Sequence, residues 1–227
     1  MTKDGIKMKP GIETVKLWAK KNGIKITPEQ ERKLIMHRDL VLETNEYMNL
    51  TAITDPEMFA VKHIIDSLTL VSHLPEQGTV ADIGSGAGFP GMVLAIMRPD
   101  LHFTLVDSVK KKAHFLQKAI DALELPNAQS MPLHTVDIIR EGITFDVCTA
   151  RAVSQMSKLV EWALPLLETG GKFLAMKGPD VDEELGYAAT VISQYCGIVT
   201  KLDVVEIAPG MSHTIITVSK LDEPDYY

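Results

Sequence analysis

The chain has 227 residues, 45% hydrophobic and 23% charged, which allows one large domain or one domain with a small addition. Its formal net charge of −7 argues against non-specific binding to nucleic acid, which requires a basic surface. It has no apolar run of about eighteen residues, no signal-like start in "MTKDGIKMKPG", and no metal or disulfide spacing at Cys148 and Cys196. We therefore expect a cytoplasmic protein without a membrane partner or a metal site.

The first third of the chain predicts helices over 12–22, 29–48 and 56–73, because apolar residues recur there at helical spacing. Thr27 before Pro28 fits the N-cap of the second helix. We therefore expect a helical N-terminal extension over residues 1–75. Two roles stay open for it: it covers a substrate crevice or adds RNA contacts, or it only covers one end of a sheet.

From residue 79 onward, strands alternate with helices, which predicts a doubly wound α/β layer. Strands are predicted over 79–83, 102–108, 145–153, 172–178, 201–208 and 213–220. Helices are predicted over 89–97, 109–124 (with Ser108 as its cap), 155–167 and 181–195. The last two strands are joined by the short "PGMS", so they must be antiparallel. A core over 76–220 and a flexible tail over 221–227 follow.

The segment "ADIGSGAGFPG" (81–91) lies between a predicted strand and a helix. Its G-x-G-x-G spacing differs from the dinucleotide fingerprint, and no Lys-Ser or Lys-Thr follows as in a P-loop. Asp107, at the end of the next strand, can accept hydrogen bonds from both hydroxyls of a ribose. Asp82 suits a ligand with an amino group or positive charge. These features favour an adenosine-containing ligand over a plain turn and a solvated aspartate.

This pattern resembles the S-adenosylmethionine-dependent methyltransferases of the seven-stranded class, whose last strand pair is an antiparallel hairpin. The resemblance implies a Rossmann-like, mostly parallel seven-stranded sheet with an antiparallel last strand, and S-adenosyl-L-methionine as cofactor. A nicotinamide-dependent dehydrogenase is the competing interpretation. It would usually continue with parallel strands and offer an acid/base residue for hydride transfer, and none is evident.

Six segments extend the resemblance to a narrower family. They are "NLTAIT" (49–54), "HIIDSL" (63–68), "DIGSGAGFPG" (82–91), "LVDSVKKKAHFL" (105–116), "TARAV" (149–153) and "LAMKG" (174–178). In this order they resemble the bacterial RsmG (GidB) enzymes, which methylate N7 of a guanine in small-subunit ribosomal RNA. The resemblance implies the same reaction here, with 16S rRNA or the small ribosomal subunit as partner.

The resemblance also implies cofactor contacts at matching positions. Gly84 and Phe89 would lie along the cofactor, Asp107 on its ribose, and Arg151 beside the site. Relatives carry an Arg-Ala-Glu-like stretch at the adenine, where this chain has "HTVD" (134–137), so only main-chain contacts carry over. The predicted cofactor-binding residues are Asp82, Gly84, Gly86, Phe89, Asp107, Thr135, Val136 and Arg151.

Substrate contacts are predicted at two groups of residues. Lys110 and Lys111, in a run that continues with Lys112, begin a helix beside the cofactor edge, and Lys177 ends a strand there; they would contact phosphates, unless the run is only a solvated helix start. His63 and Asp66 share a helix face. They would shape the substrate pocket or bind Asn49, or they form a packing pair.

Methyl transfer from a sulfonium releases a neutral leaving group, so it needs no acid. Guanine N7 carries a lone pair and no proton, so it needs no base. Positioning and electrostatics then suffice, and no catalytic residue is predicted. Two other functions stay open: a methyltransferase for a small molecule or protein, and a non-catalytic cofactor-binding assembly factor. We expect a monomer.

Overall fold

A computed structural model describes residues 11–222 of the chain. Its strands are β1 (Thr79–Ile83), β2 (His102–Val106), β3 (Ala128–Met131), β4 (Phe145–Arg151), β5 (Leu167–Lys177), β6 (Gly197–Ala208) and β7 (Met211–Lys220). They form one seven-stranded sheet in the order β3-β2-β1-β4-β5-β7-β6. β7 is antiparallel to β5 and to β6, and the other pairs are parallel. The predicted doubly wound fold with an antiparallel last strand is confirmed.

The helices alternate with these strands after a helical N-terminal part. They are α1 (Ile12–Lys21), α2 (Pro28–Met48), α3 (Pro56–Phe59), α4 (Asp66–Leu68), α5 (Gly91–Met97), α6 (Lys110–Ala122), α7 (Thr135–Arg140), α8 (Met156–Ala163) and α9 (Asp182–Gln194). A π-helical turn, Ala60–Ile65, joins α3 to α4. Thr27 caps α2 as predicted, in a reciprocal capping box with Gln30. No helix within residues 11–222 is long and apolar enough to cross a membrane.

Three details of the predicted elements were wrong or missing. The sheet contains an additional strand, β3, and the helix α7 follows that strand in the chain. The sequence pattern identified neither element. Ser108 does not cap α6, because the N-cap is Val109; the Val109 N–H donates to Asp107 Oδ1 at 2.9 Å. Of the tail predicted to be flexible, residues 223–227 lie outside the described part.

One continuous apolar core joins the N-terminal helices to the sheet. Phe59 and Leu68 are fully buried in the same cluster as Leu94 of α5 and Leu105 of β2. A second cluster on the opposite face packs α8 and α9 against β4 and β5. The N-terminal helices, expected to form an extension packed on the core, lie on the face that carries α5 and share its apolar cluster.

Candidate functional site

The glycine loop between β1 and α5 is tightly wound. Gly84, Gly86 and Gly88 have φ values of 70°, 58° and 93°, the left-handed region that glycine adopts without strain. The backbone N–H groups of Gly84 and Ser85 both donate to the Val106 carbonyl, at 2.8 and 3.0 Å. These bonds hold the loop against the end of β2, so its backbone is fixed at the carboxyl edge of the sheet.

Asp82 supports this loop from inside the protein. Its Oδ2 accepts hydrogen bonds from Ser85 Oγ at 2.5 Å and from the Gly91 N–H at 3.0 Å, and its Oδ1 accepts one from Thr149 Oγ1 at 2.9 Å. The side chain is 0% exposed, and burial raises the pKa of its carboxyl. The protein donors around this buried carboxylate position the loop, and the predicted contact of Asp82 with the cofactor stays a prediction.

A cavity of about 700 Å³ opens at the ends of β1, β2 and β4. Five of the predicted cofactor residues line it: Gly84, Asp107, Thr135, Val136 and Arg151. Sequence reasoning missed its apolar walls, because these residues follow no spacing rule: Ile83, Val106, Leu133, Val153 and Trp162. The lining also carries the polar or charged Ser108, Lys112, His134 and Asp137, and a cavity that combines apolar walls with polar groups is suited to a small molecule.

Asp107 is a carboxylate of this first cavity. Its Oδ2 accepts the Gly86 N–H at 3.0 Å and its Oδ1 accepts the Val109 N–H at 2.9 Å. Each carboxylate oxygen has a further lone pair, so each can still accept a hydrogen bond from a hydroxyl group. The glycine loop thus orients Asp107 and leaves it able to bind a diol; Gly86 acts through this bond and is absent from the cavity lining.

Phe89 lies behind the loop. It is 4% exposed and absent from the lining of the first cavity. Its ring stacks on His63 at 4.6 Å between centroids, contacts His37 at 4.7 Å and Phe59 at 5.7 Å, and lies 5.4 Å from Cζ of Arg151. The ring therefore packs the loop against the N-terminal helices, and the predicted contact of Phe89 with the cofactor stays a prediction.

Arg151, at the end of β4, is bound by that same helical part. Its Nη1 donates to Asp66 Oδ2 at 2.8 Å and to the Lys62 carbonyl at 2.7 Å, and its Nη2 lies 3.1 Å from His63 Nδ1. Asp66 Oδ1 in turn lies 2.6 Å from Nδ1 of His213 on β7. The buried pair His63 and Asp66 therefore fixes the guanidinium at the site.

The protonation of this network follows from its donors. Arginine can only donate, so Nδ1 of His63 accepts, and its Nε2–H donates to Thr51 Oγ1 at 2.8 Å. Burial, together with the charge of Arg151, lowers the pKa of His63 to about 3, so the ring is neutral. Burial acts to raise the pKa of Asp66, but His213 and Arg151 outweigh it, and the pKa lies below its usual value.

Three other predicted substrate residues are placed as follows. Asn49 is exposed at the end of α2 with φ 51°. The side-chain hydrogen bonds of His63 and Asp66 go to Thr51, Arg151 and His213, and not to Asn49. Lys110 and Lys111 are exposed at the start of α6, while the following Lys112 lines the first cavity.

Lys177, at the end of β5, is tied into the protein. Its Nζ donates to Glu184 Oε1 and to the Ser154 carbonyl, each at 2.6 Å. It also lines a second cavity of about 700 Å³, which lies on the other side of Arg151 and Ala152 from the first.

The sequence model of the GidB family, described as rRNA small subunit methyltransferase G, matches residues 30–208. Proteins named ribosomal RNA small subunit methyltransferase G are 35% identical in Clostridium perfringens, over 88% of this chain and 86% of that protein, and 38% identical in Pelotomaculum thermopropionicum, over 95% and 93%.

Solved structures support the fold alone. The M. jannaschii TYW2 structure in complex with AdoMet has a TM-score of 0.59 at 14% identity, covering 75% of this chain and 79% of that one. The ribosomal protein L11 methylase from Lactobacillus delbrueckii subsp. bulgaricus has a TM-score of 0.54 at 9% identity, covering 75% and 81%. Because the family model and the similar sequences match most of its length, the chain belongs to the rRNA small subunit methyltransferase G family.

Proposed function

We propose that this chain transfers the methyl group of S-adenosyl-L-methionine to N7 of a guanine in the 16S rRNA of the small ribosomal subunit. The observation that carries the proposal is the first cavity, where the glycine loop presents the Asp107 carboxylate beside apolar walls. The proposal includes a monomeric chain in the cytoplasm, which light scattering and cell fractionation would check.

The lining of the first cavity fits this cofactor. Asp107 can accept both ribose hydroxyls, and the apolar side chains of Leu133 and Trp162 suit the faces of an adenine ring. Thr135 and Val136 also line the cavity, and the proposal gives them main-chain contacts to the adenine edge. When bound, the cofactor supplies an electrophilic methyl group on a sulfonium.

The chain's own residues then position the reactants. Arg151 lies between the two cavities, held by Asp66 and by the neutral His63. Because N7 has no proton to lose and the positive charge of the sulfonium passes to the methylated base, the reaction needs no general base and no additional cation. The proposed role of Arg151, paired with Asp66, is to hold the wall at which the two reactants meet. Lys110 and Lys111 are proposed to contact RNA phosphates from the rim of the first cavity.

The test separates cofactor binding from methyl transfer. Asp107→Ala should weaken binding of S-adenosylhomocysteine by about tenfold or more, measured by calorimetry, because it removes charge-assisted hydrogen bonds. Asp121→Ala, at an exposed position on α6, is the matched control. Replacing Lys110 and Lys111 together with Glu should lower methylation of rRNA and leave that affinity unchanged.

The activity itself is measured with labelled S-adenosylmethionine and unmethylated 16S rRNA, both free and in small subunits from a strain lacking the enzyme. Label should appear at guanine N7 in at least one of these substrates. No label at N7 in either of them would contradict the proposed function.

A further inference from the structure

We propose that the second cavity is the pocket for the acceptor nucleotide, an inference that rests on the proposed function. This cavity of about 700 Å³ lies among the segment before α3, the turn Ala60–Ile65, the end of β5 and the tip of the β6–β7 hairpin. The residues that carry the argument are Ile53, Lys62, Met176, Lys177, Ile207 and Met211.

The position of the second cavity relative to the first is the first argument. Among the described lining residues, Arg151 and Ala152 alone are shared by both cavities, so a wall of two consecutive residues separates them. Ala152 has φ 52°, a left-handed conformation that costs energy for a residue with a Cβ. In-line transfer needs the acceptor atom within contact of the methyl group, and a base in the second cavity would lie next to the first.

The walls of the second cavity have the shape and chemistry for a heteroaromatic ring. Ile53, Met176, Ile207 and Met211 line it with apolar side chains, and methionine adapts its shape to flat surfaces. A base that is to be modified must leave its stack and enter a pocket, where apolar side chains can replace the stacking it has lost. One nucleotide fits within a cavity of this size.

The charge of the second cavity fits the phosphates on either side of such a base. Lys62, Lys177 and Arg151 line it; Asp66 neutralises Arg151 and Glu184 neutralises Lys177, so Lys62 supplies a net positive charge there, although the whole chain carries a net charge of −7. Lys177 and Arg151 have protein partners, whereas the ammonium of the exposed Lys62 has none within residues 11–222. A local excess of positive charge is what binding an RNA backbone requires.

The origin of the walls gives the N-terminal helical part a role in acceptor binding. Ile53 belongs to "NLTAIT", Lys62 precedes "HIIDSL", and both line the second cavity opposite the hairpin residue Met211. On this proposal the helical part covers the substrate crevice, which is one of the two roles that its sequence left open.

Two pairs of variants test the pocket. Met211→Trp fills the cavity, with Val204→Trp, on the exposed face of β6, as its control. Lys62→Glu reverses the charge, with Lys118→Glu, exposed on α6, as its control. At saturating cofactor, Met211→Trp should slow methylation of unmethylated small subunits or free 16S rRNA at least about tenfold, and Lys62→Glu should raise the KM for that substrate about tenfold. Neither should change the S-adenosylhomocysteine affinity more than about twofold.

The outcomes are distinguishable. If the wild-type chain places no methyl group on guanine N7, the proposed function fails before any variant is compared. If the wild type is active and both pocket variants behave like their controls, the assignment of the acceptor pocket is overturned. It is equally overturned if Met211→Trp and Lys62→Glu lose cofactor affinity in proportion to activity. The melting temperature of the Lys62→Glu variant is the control for folding: if it is unchanged, misfolding is excluded as the cause of a lower activity.

Discussion

His37 shows how one side chain of the N-terminal helices supports the glycine loop. Its Nε2–H donates to the Ala87 carbonyl at 2.9 Å, and its ring contacts Phe89. It is 1% exposed, and burial lowers its pKa to about 4. The ring is therefore neutral, and it acts as a fixed hydrogen-bond donor to the backbone of the loop that orients Asp107.

This buried histidine makes stability depend on pH. Between pH 6.5 and pH 4 the unfolded chain binds a proton at His37 that the folded chain excludes, so stability falls as the pH falls. His37→Gln keeps an N–H donor but does not titrate. The loss in free energy of unfolding between pH 7 and pH 5 should be about 2 kcal/mol smaller than in the wild type. Urea unfolding at each pH measures it, with His102→Gln, at an exposed site, as control; equal losses in all three proteins would contradict the prediction.

At the scale of elements, strand positions followed from the sequence where burial is complete. β1 and β4 are almost entirely buried, and their apolar runs identified them. β3 escaped because "AQSM" is short, only partly buried and without β-branched residues. The glycine loop was predictable, but the side of the loop on which Asp82 lies depends on contacts with Thr149, 67 positions away, which no local pattern encodes.

The start of α5 gives a prediction for an element. A Cβ on Gly91 would lie 2.3 Å from Leu105 Cδ2 and 2.6 Å from Asp82 Oδ2, so the helix can approach the sheet only with glycine there. Gly91→Ala should lower the free energy of unfolding by about 1–3 kcal/mol and weaken S-adenosylhomocysteine binding. Gly186→Ala, inside α9 with open space at its Cβ, should instead raise it by about 0.5–1 kcal/mol. Urea titration compares them, and a Gly91→Ala protein as stable as the wild type would refute the packing argument.

At the scale of the whole molecule, the helical extension and the methyltransferase core share one interior. The sequence indicated two segments because its periodicity changes near residue 75, but periodicity does not report which surfaces meet. Fully buried Phe59 and Ile65 pack in the cluster that includes Val80 of β1. Trp18 of α1 also reaches β6, where its Nε1–H donates to the Glu206 carbonyl at 3.3 Å. These contacts predict cooperative unfolding of both parts.

The two tryptophans of the chain allow this to be measured, because Trp18 reports on the helical part and Trp162 on the first cavity. The variants Trp162→Phe and Trp18→Phe each keep one tryptophan. In each variant, the urea transition followed by tryptophan fluorescence should coincide with the transition followed by circular dichroism. A ligand that binds only the folded chain stabilises the whole cooperative unit. In the Trp162→Phe variant, S-adenosylhomocysteine should therefore shift the Trp18 transition as far as that variant's circular dichroism transition, although Trp18 is absent from the lining of the first cavity. A Trp18 transition at lower urea, unmoved by the ligand, would mean that the helices unfold separately.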